Sequence, residues 1–215
     1  MNILAIGSHP DDIEYGCSGT LGKFIRQGHD VYIMVMTHGR FGASPEVQIP
    51  EQLQEMRINE QLQANKILNV KEIFWGEYVD TQIPMGKELI DRIEAVVRNI
   101  QPIFTFVHFP EDTHQDHRTT ANATISAARF VKNILFYEGP TTQNFNPTVF
   151  VNICETLDTK IEALYAHASQ AAKTHRTIEN LTIVESARSC ATFRGIQGRV
   201  KYAEAFVPLR MFITI

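Results

Sequence analysis

The sequence predicts an α/β fold with a mostly parallel central sheet, because short apolar runs alternate with amphipathic helical patterns. Several of these runs lack polar alternation, which is typical of strands buried on both faces. The chain has 215 residues, of which 44% are apolar and 20% are charged. This length and composition suit a single domain over residues 1–215, with a core that needs no disulfide or structural metal.

Six runs rich in β-branched and aromatic residues are the predicted strands, at residues 3–6, 31–36, 73–75, 103–107, 134–137 and 149–153. Helical periodicity predicts helices over residues 18–27, 51–68, 87–100 and 119–130, and near 157–168 and 174–186. Gly28 and Pro102 stand where two of these helices are expected to end.

The helix at residues 51–68 places two charged residues inside its apolar stripe. At about 100° per residue, Arg57 and Glu60 share a face with Leu53, Ala64 and Leu68. One interpretation is an internal ion pair between Arg57 and Glu60. The other is that Arg57 reaches through the edge of the core into a cleft, since a charge in a buried stripe usually has a specific partner.

Charge and cysteine content exclude several classes of protein. The chain has 20 basic and 24 acidic residues, a net charge of −4 and no Lys/Arg cluster, which argues against binding to nucleic acid or anionic membranes. Its apolar runs are too short to span a bilayer, and the apolar stretch at its start has no basic region before it and is too short for a signal peptide. Three cysteines (Cys17, Cys154 and Cys190) without a Cys-x-x-Cys pair predict ordinary thiols and a cytoplasmic location.

Two polar clusters follow predicted strands. His9-Pro10-Asp11-Asp12 comes directly after the first strand, and His114-Gln115-Asp116-His117 follows the fourth. In an open α/β sheet, ligands bind outside the carboxyl ends of the strands, near the point where the strand order reverses. We therefore expect both clusters to lie at one edge of the sheet.

The residue types in these clusters suit a catalytic metal. Such a site needs three His, Asp or Glu ligands and an open position for water. His9 and Asp12 lie three residues apart on a turn, and the third ligand comes from His117 or His114. Each cluster alone is as easily explained by a helix-capping turn or a solvated loop, but their convergence favours a metal site.

The remaining polar groups then have chemical roles. A bound metal would polarise a carbonyl, and Asp11 could accept the proton of the attacking water. The histidine that does not bind metal could stabilise the oxyanion and protonate a leaving amine. Asp116 could orient that histidine.

Two other functions are compatible with parts of this pattern. Two histidines and one carboxylate also form the facial triad of non-haem Fe(II) oxygenases, although the His-x-x-Asp spacing after a parallel strand does not match those enzymes. A sugar-binding module of the same fold without catalysis is the second alternative, and loss of a ligand or of the base would be expected in it.

The first cluster, within Ser8-His9-Pro10-Asp11-Asp12-Ile13-Glu14, resembles the (A/P)HPDD(E) signature of the PIG-L/LmbE-like zinc de-N-acetylases. The second cluster is similar to the HxDH motif of that family. The resemblance continues through the helix with Arg57 and Glu60, through residues 150–153, and finally to Lys160, His167, Ser169, Gln170 and the segment 203–206. It therefore covers nearly the whole chain.

This resemblance implies a Rossmann-like three-layer sandwich that removes the N-acetyl group, as acetate, from an N-acetylglucosamine-type sugar or sugar conjugate. The metal would be Zn²⁺ or Fe²⁺, and homo-oligomers, including hexamers, occur among relatives. Matching motifs give His9, Asp12 and His117 as metal ligands, Asp11 as general base, His114 as oxyanion-stabilising acid, Asp116 as its orienting partner and Arg57 as a residue of the substrate cleft.

One position departs from the family pattern. Many relatives carry a glutamate in a Thr-x-Gly-Glu segment after the second strand, whereas this chain has Thr37-His38-Gly39-Arg40. Arg40 is either an exposed loop residue or a group that binds a phosphate or carboxylate of the substrate. The loops at residues 38–50 and 139–147 are expected to shape specificity.

Overall fold

The structure is a computed structural model that describes residues 1–42, 49–171 and 181–213. Its centre is a seven-stranded sheet in the order β3-β2-β1-β4-β5-β7-β6. The strands are β1 (Asn2–Gly7), β2 (Asp30–Thr37), β3 (Glu72–Tyr78), β4 (Phe104–His108), β5 (Asn133–Tyr137), β6 (Val149–Asn152) and β7 (Ala203–Arg210). The first five are parallel, and β7 is antiparallel to both of its neighbours.

Helices cover both faces of this sheet and give three layers. They are α1 (Asp12–Gly16), α2 (Ser18–Arg26), α3 (Pro50–Leu68), α4 (Lys87–Ile100), α5 (Gln115–Ala127), α6 (Leu157–Ala166), α7 (Ala168–Ala171) and α8 (Ile183–Gly198). Within the described part of the chain, no helix is both long and apolar enough to cross a membrane.

Alternate residues of β1 enter the two cores, because successive side chains of a strand point to opposite faces. Leu4 and Ile6 belong to the core that contains Leu89 and Ile93 of α4. Ile3 and Ala5 belong to the opposite core, with residues of α1 and α2. All four β1 side chains are fully buried, which is why this strand has an uninterrupted apolar sequence.

The strand order reverses between β1 and β4, which pair directly. The chain moves outward from β1 through β2 to β3, then returns to place β4 on the other side of β1. The loops that follow β1 and β4 therefore leave the sheet side by side, and a crevice forms between them.

The predicted α/β fold is confirmed, and each of the six predicted strands overlaps an observed one. The strand β7 was not predicted, and α5 begins at Gln115, four residues before the predicted start at 119. The helix predicted at 157–168 is interrupted at His167, between α6 and α7. Part of the helix predicted at 174–186 lies at residues 174–180, outside the described residues, and α8 continues to Gly198.

Candidate active site

The loops after β1 and β4 meet at the reversal point and are joined by direct hydrogen bonds. The backbone N–H of Ser8 donates to Nε2 of His108 over 3.1 Å. The hydroxyls of Ser8 and Thr120 lie 2.9 Å apart, which links the end of β1 to α5. The two polar clusters predicted from the sequence therefore lie together at this edge of the sheet.

The turn after β1 is organised around the carboxylate of Asp12. Its Oδ2 accepts the N–H groups of two preceding residues, Ser8 at 3.0 Å and His9 at 2.7 Å, and these bonds close the turn. Asp11 takes a left-handed conformation with φ 92° at the start of α1. This turn brings Nδ1 of His9 to 3.4 Å from Oδ2 of Asp12.

The second cluster is placed by the start of α5. Nδ1 of His114, the N-cap residue, accepts the N–H of Asp116 at 3.2 Å. His117, which follows Asp116, points into the protein and is 6% exposed. Its ring stacks on those of His114 and His108, with centroids 4.6 Å and 4.0 Å away.

Asp12 lies between the other two ligands implied by the resemblance. Its Oδ1 is 3.4 Å from Nε2 of His117, and its Oδ2 is 3.4 Å from Nδ1 of His9. Ligand atoms at about 2.1 Å from a tetrahedral ion stand roughly 3.4 Å apart, so each separation suits a pair of zinc ligands. Among the described residues, three groups of side chains have ligand atoms that all lie within 4.8 Å of one another: His9 with His114 and His117, Asp12 with His108 and His117, and His9 with Asp80 and Asp116. Each group contains one or two of the three implied ligands.

In each of the two candidate ligand histidines, His9 and His117, the second ring nitrogen contacts a carboxylate. Nε2 of His9 lies 3.0 Å from Oδ1 of Asp80 and 3.1 Å from Oδ2 of Asp116. Nδ1 of His117 lies 3.3 Å from Oδ1 of Asp112. These carboxylates favour a proton on the nitrogens that they contact, and they leave Nδ1 of His9 and Nε2 of His117 to face Asp12.

The charges of the site favour a bound cation. Burial alone would lower the pKa of His9, but hydrogen bonds to Asp116, Asp12 and Asp80 outweigh it and hold that pKa well above its usual value. Burial is likewise opposed at His117, where Asp12 and Asp112 raise the pKa to about 9. The carboxylates thus stabilise positive charge. The buried Oδ1 of Asp116 has no hydrogen-bond partner among the described residues. A mixed nitrogen and oxygen donor set without thiolates suits Zn²⁺ or Fe²⁺.

His108 and His114 differ from His9 and His117. Burial and the neighbouring His117 lower the pKa of His108 to about 4, and its Nε2 accepts the N–H of Ser8. Because Nδ1 of His114 accepts a backbone N–H, the proton of its neutral ring is on Nε2. The expected partner of His114, the carboxylate of Asp116, instead contacts His9, and the backbone of Asp116 makes the contact with His114.

Asp11 lies beside the ligands and against Arg57. Burial raises the pKa of Asp11, and the charge of Arg57 opposes this rise. Nη2 of Arg57 lies 3.4 Å from Oδ2 of Asp11, and the guanidinium also donates to the carbonyls of Pro10 at 2.6 Å and Gly39 at 2.9 Å. Gly39 has φ 65° and packs so closely on Arg57 that a Cβ there would lie 2.2 Å from Nη1.

Of the two interpretations of the helix stripe, the structure therefore supports the one in which Arg57 reaches the site. Glu60 turns elsewhere and accepts the N–H and the hydroxyl of Ser169, each at 2.7 Å. Arg40 is half-buried, and its guanidinium lies 4.7 Å from the ring centroid of Phe41. The part of the loop 38–50 at residues 43–48 lies outside the described residues.

Comparison with known proteins decides the family. The profile of the PIG-L family, described as GlcNAc-PI de-N-acetylase, matches residues 4–128, which include both polar clusters. The chain belongs to the PIG-L family.

Several relatives of this PIG-L protein are named as deacetylases. An uncharacterized deacetylase of Escherichia coli, YaiS, is 32% identical over 175 residues, or 78% of this chain and 90% of that protein. Diacetylchitobiose deacetylase of Thermococcus kodakarensis is 27% identical over 190 residues, which cover 78% of this chain and 69% of that protein. The solved structure of N,N'-diacetylchitobiose deacetylase from Pyrococcus horikoshii has a TM-score of 0.84 at 27% identity and covers 97% of this chain and 83% of that one.

Sequence reasoning missed two carboxylates of this PIG-L site. Asp80 and Asp112 are 4% and 5% exposed and contact His9 and His117. A signal existed for each of them. Asp80 follows the third strand, whose carboxyl end lies at the same edge as those of β1 and β4, and Asp112 precedes His117 by five residues in an acid-rich segment.

Proposed function

We propose that this protein is a metal-dependent hydrolase that removes the N-acetyl group from an N-acetylglucosamine-type sugar or sugar conjugate. His9, Asp12 and His117 would hold Zn²⁺, with Fe²⁺ as the other metal that suits these donors. The observation that carries the proposal is that Asp12 lies 3.4 Å from His9 and 3.4 Å from His117, with Asp11 directly beside it. The deacetylase activities of the relatives support an amino-sugar substrate.

The chain supplies the proton transfers of amide hydrolysis. A metal bound at the site would polarise the acetyl carbonyl and make a neighbouring water more acidic. Asp11 accepts a proton from this water as its oxygen attacks the carbonyl carbon. The raised pKa of Asp11, caused by burial, suits a group that must hold this proton.

His114 stabilises the charge that develops on the attacked carbonyl. Its Nε2–H donates to the oxygen that becomes negative, and because the ring is neutral it keeps this proton. As the C–N bond breaks, the leaving nitrogen takes the proton that Asp11 removed from the water, and the second proton of that water is released with the products, acetate and the amine. Asp116 fixes both histidines, since its N–H donates to His114 and its carboxylate contacts His9.

Arg57 would support catalysis by holding the turn that carries Asp11. Its contacts with Pro10 and Asp11 place a positive charge next to the base. Because the guanidinium is 4% exposed, we propose that it acts on the substrate mainly through the position of Asp11.

The decisive experiment measures acetate release from a panel of N-acetylated amino sugars, including chitobiose and conjugates with anionic aglycones. Purified protein should contain about one zinc or iron per chain, and chelation should abolish turnover until metal is restored. His117→Ala should lose both metal and activity, while Asp30→Asn, a change at an exposed carboxylate, should retain both. Full activity of a metal-free preparation would refute the proposal.

The same assays test the two alternatives. Oxygen consumption with Fe²⁺ would indicate an oxygenase, but the site lies on a mostly parallel sheet rather than in a β-barrel. Tight binding of amino sugars without acetate release would indicate a binding module. Against that alternative, all six residues expected for catalysis and metal binding are present in one cluster.

A further inference from the structure

The connection between β5 and β6, residues 138–148, lies against the loop that carries Asp112. The backbone N–H of Thr113 donates to the carbonyl of Thr141 at 3.1 Å, and that of Gln143 donates to the carbonyl of Glu111 at 2.8 Å. Between these bonds, Asp112 and Thr142 form an antiparallel bridge. The two loops therefore pair as a short ladder outside the main sheet.

Two hydroxyls of this connection hold the carboxylate of Asp112, one on each oxygen. Thr141 donates to Oδ1 at 2.7 Å, and Thr142 donates to Oδ2 at 3.0 Å. The hydroxyl of Thr142 also accepts the N–H of Gly139 at 2.9 Å, so its own proton is directed to Asp112. The N–H of His114 adds a third donor, to Oδ1 at 2.8 Å.

The carboxylate fixed in this way contacts His117. Its Oδ1 lies 3.3 Å from Nδ1 of the ring. The negative charge of Asp112 favours a proton on Nδ1, which leaves Nε2 of His117 unprotonated and facing Asp12, as a metal ligand requires. With three donors already on Asp112, its orientation toward His117 does not depend on a bound ion.

The start of the connection is anchored to α8. Arg194 donates from Nε and Nη2 to the two oxygens of Glu138, each at 2.6 Å, in the two-bonded geometry that fixes both groups. Arg194 is 8% exposed, so this contact is shielded from solvent. The connection is thus held at Glu138 by α8 and at Thr141 to Gln143 by the loop that contains Asp112.

We infer that Thr141 and Thr142 are positioning residues of the metal centre, which act through Asp112 on the protonation site of His117. This inference rests on the metal site of the proposed function. It also gives the connection 138–148 a role in metal binding. The sequence led us to expect only a role in substrate specificity, for the loop at residues 139–147.

The test compares zinc affinity and the His117 ring proton in a set of variants. Zinc affinity is measured by competition with a chromophoric chelator, and the Nδ1 proton by ¹H–¹⁵N spectra of histidine-labelled, zinc-loaded protein. Replacing both threonines, Thr141→Val with Thr142→Val, should weaken zinc binding 10- to 100-fold and weaken or remove the Nδ1 proton signal of His117. The single variant Thr142→Ser retains the hydroxyl, so its zinc affinity should stay within about threefold of the wild-type value.

Thr148→Val is the matched control, because Thr148 is an exposed threonine of the same connection. It should leave both measurements unchanged. A folded double variant with wild-type zinc affinity and an intact His117 proton would overturn the inference while leaving the proposed metal site in place. If the double variant does not fold, the two single valine variants are judged by the same criteria. A wild-type protein that binds no zinc would overturn the proposed site and this inference together.

Discussion

Asp11 has a φ of 92°, a value that is uncommon for residues other than glycine and that asparagine and aspartate tolerate best. Hydrogen bonds of the neighbouring turn and of Arg57 hold this conformation. Strained backbone of this kind clusters at functional sites, where it directs a side chain that an ordinary turn would point elsewhere. The position of the proposed base is therefore set by the backbone as much as by its own contacts.

Asp11→Asn separates the chemistry of this residue from its geometry, because asparagine also accepts a left-handed φ. We expect kcat to fall by a factor of about 10²–10⁴, as for loss of a general base, while zinc binding is retained. Acetate release and metal content measure the two effects. Retention of more than about a tenth of the activity would show that another group accepts the proton.

The three cysteines are expected to differ in reactivity. Burial raises the pKa of Cys190 to about 12, with the nearby Glu138 adding to the effect, and burial also raises the pKa of Cys17 well above its usual value. Cys154 is exposed. In native protein, a thiol reagent at pH 8 should label Cys154 alone, and labelling of all three should require denaturant. Rapid native labelling of Cys17 or Cys190 would contradict the structure.

At the scale of single elements, α3 shows how a helix can stabilise a distant turn. The wheel analysis correctly placed Arg57 and Glu60 on the buried face, but it could not identify their partners. Those partners are the carbonyls of Gly39 and Pro10 and the side chain of Ser169, which approach only when the chain folds. Pattern predicts burial, whereas partner identity depends on tertiary contacts.

Arg57→Met should destabilise the protein by about 3 kcal/mol. It leaves two buried carbonyls without their donor and takes away the positive charge beside the carboxylate of Asp11. Denaturant unfolding of metal-free protein measures this effect. Arg26→Met is the control, since Arg26 is 62% exposed and its ion pair with Glu155 is long at 3.7 Å. It should change stability by less than about 0.5 kcal/mol. Equal effects of the two changes would contradict the proposed support of the turn.

Local sequence predicted the elements that depend on local signals and missed those that do not. The bounds of α4 were predicted from its apolar spacing and the following Pro102. The start of α5 was missed because its N-cap is a histidine, His114, which is not a usual capping residue. The strand β7 was missed because its segment mixes a buried Glu204 with Pro208, and only pairing with β5 and β6 makes it a strand.

At the scale of the whole molecule, Glu204 in β7 connects a buried ion pair to a helix near the beginning of the chain. Nζ of Lys160 in α6 lies 2.6 Å from Oε1 of Glu204 in β7, and both side chains are almost fully buried. Glu204 also accepts the N–H groups of Gly19 at 2.9 Å and Thr20 at 2.6 Å, at the start of α2. This carboxylate therefore stabilises a helix N-terminus that is 184 residues away in the sequence.

A double-mutant cycle tests this link. Glu204→Gln and Lys160→Met should each destabilise the protein by about 3–5 kcal/mol, because each leaves a buried charge or its partners unpaired. The double variant should cost at least about 1 kcal/mol less than the sum of the two. The same cycle at Lys71 and Asp30, a half-exposed pair 2.8 Å apart, should give a much smaller coupling, because solvent screens the two charges. Additive effects at Lys160 and Glu204 would contradict the ion pair.

The position of β7 between β5 and β6 also constrains the order of folding. Strands β1 to β5 can assemble as they are synthesised, but β6 has no neighbour in the sheet until residues 203–210 have been added beside it. Until then, β5 is the unpaired edge strand of a five-stranded parallel sheet. The segment that contains Thr141 and Thr142 follows β5 directly in the chain. A nascent chain released before β7 would expose an unpaired strand able to pair with another chain. While the last third of the protein is being synthesised, the chain is therefore prone to aggregation.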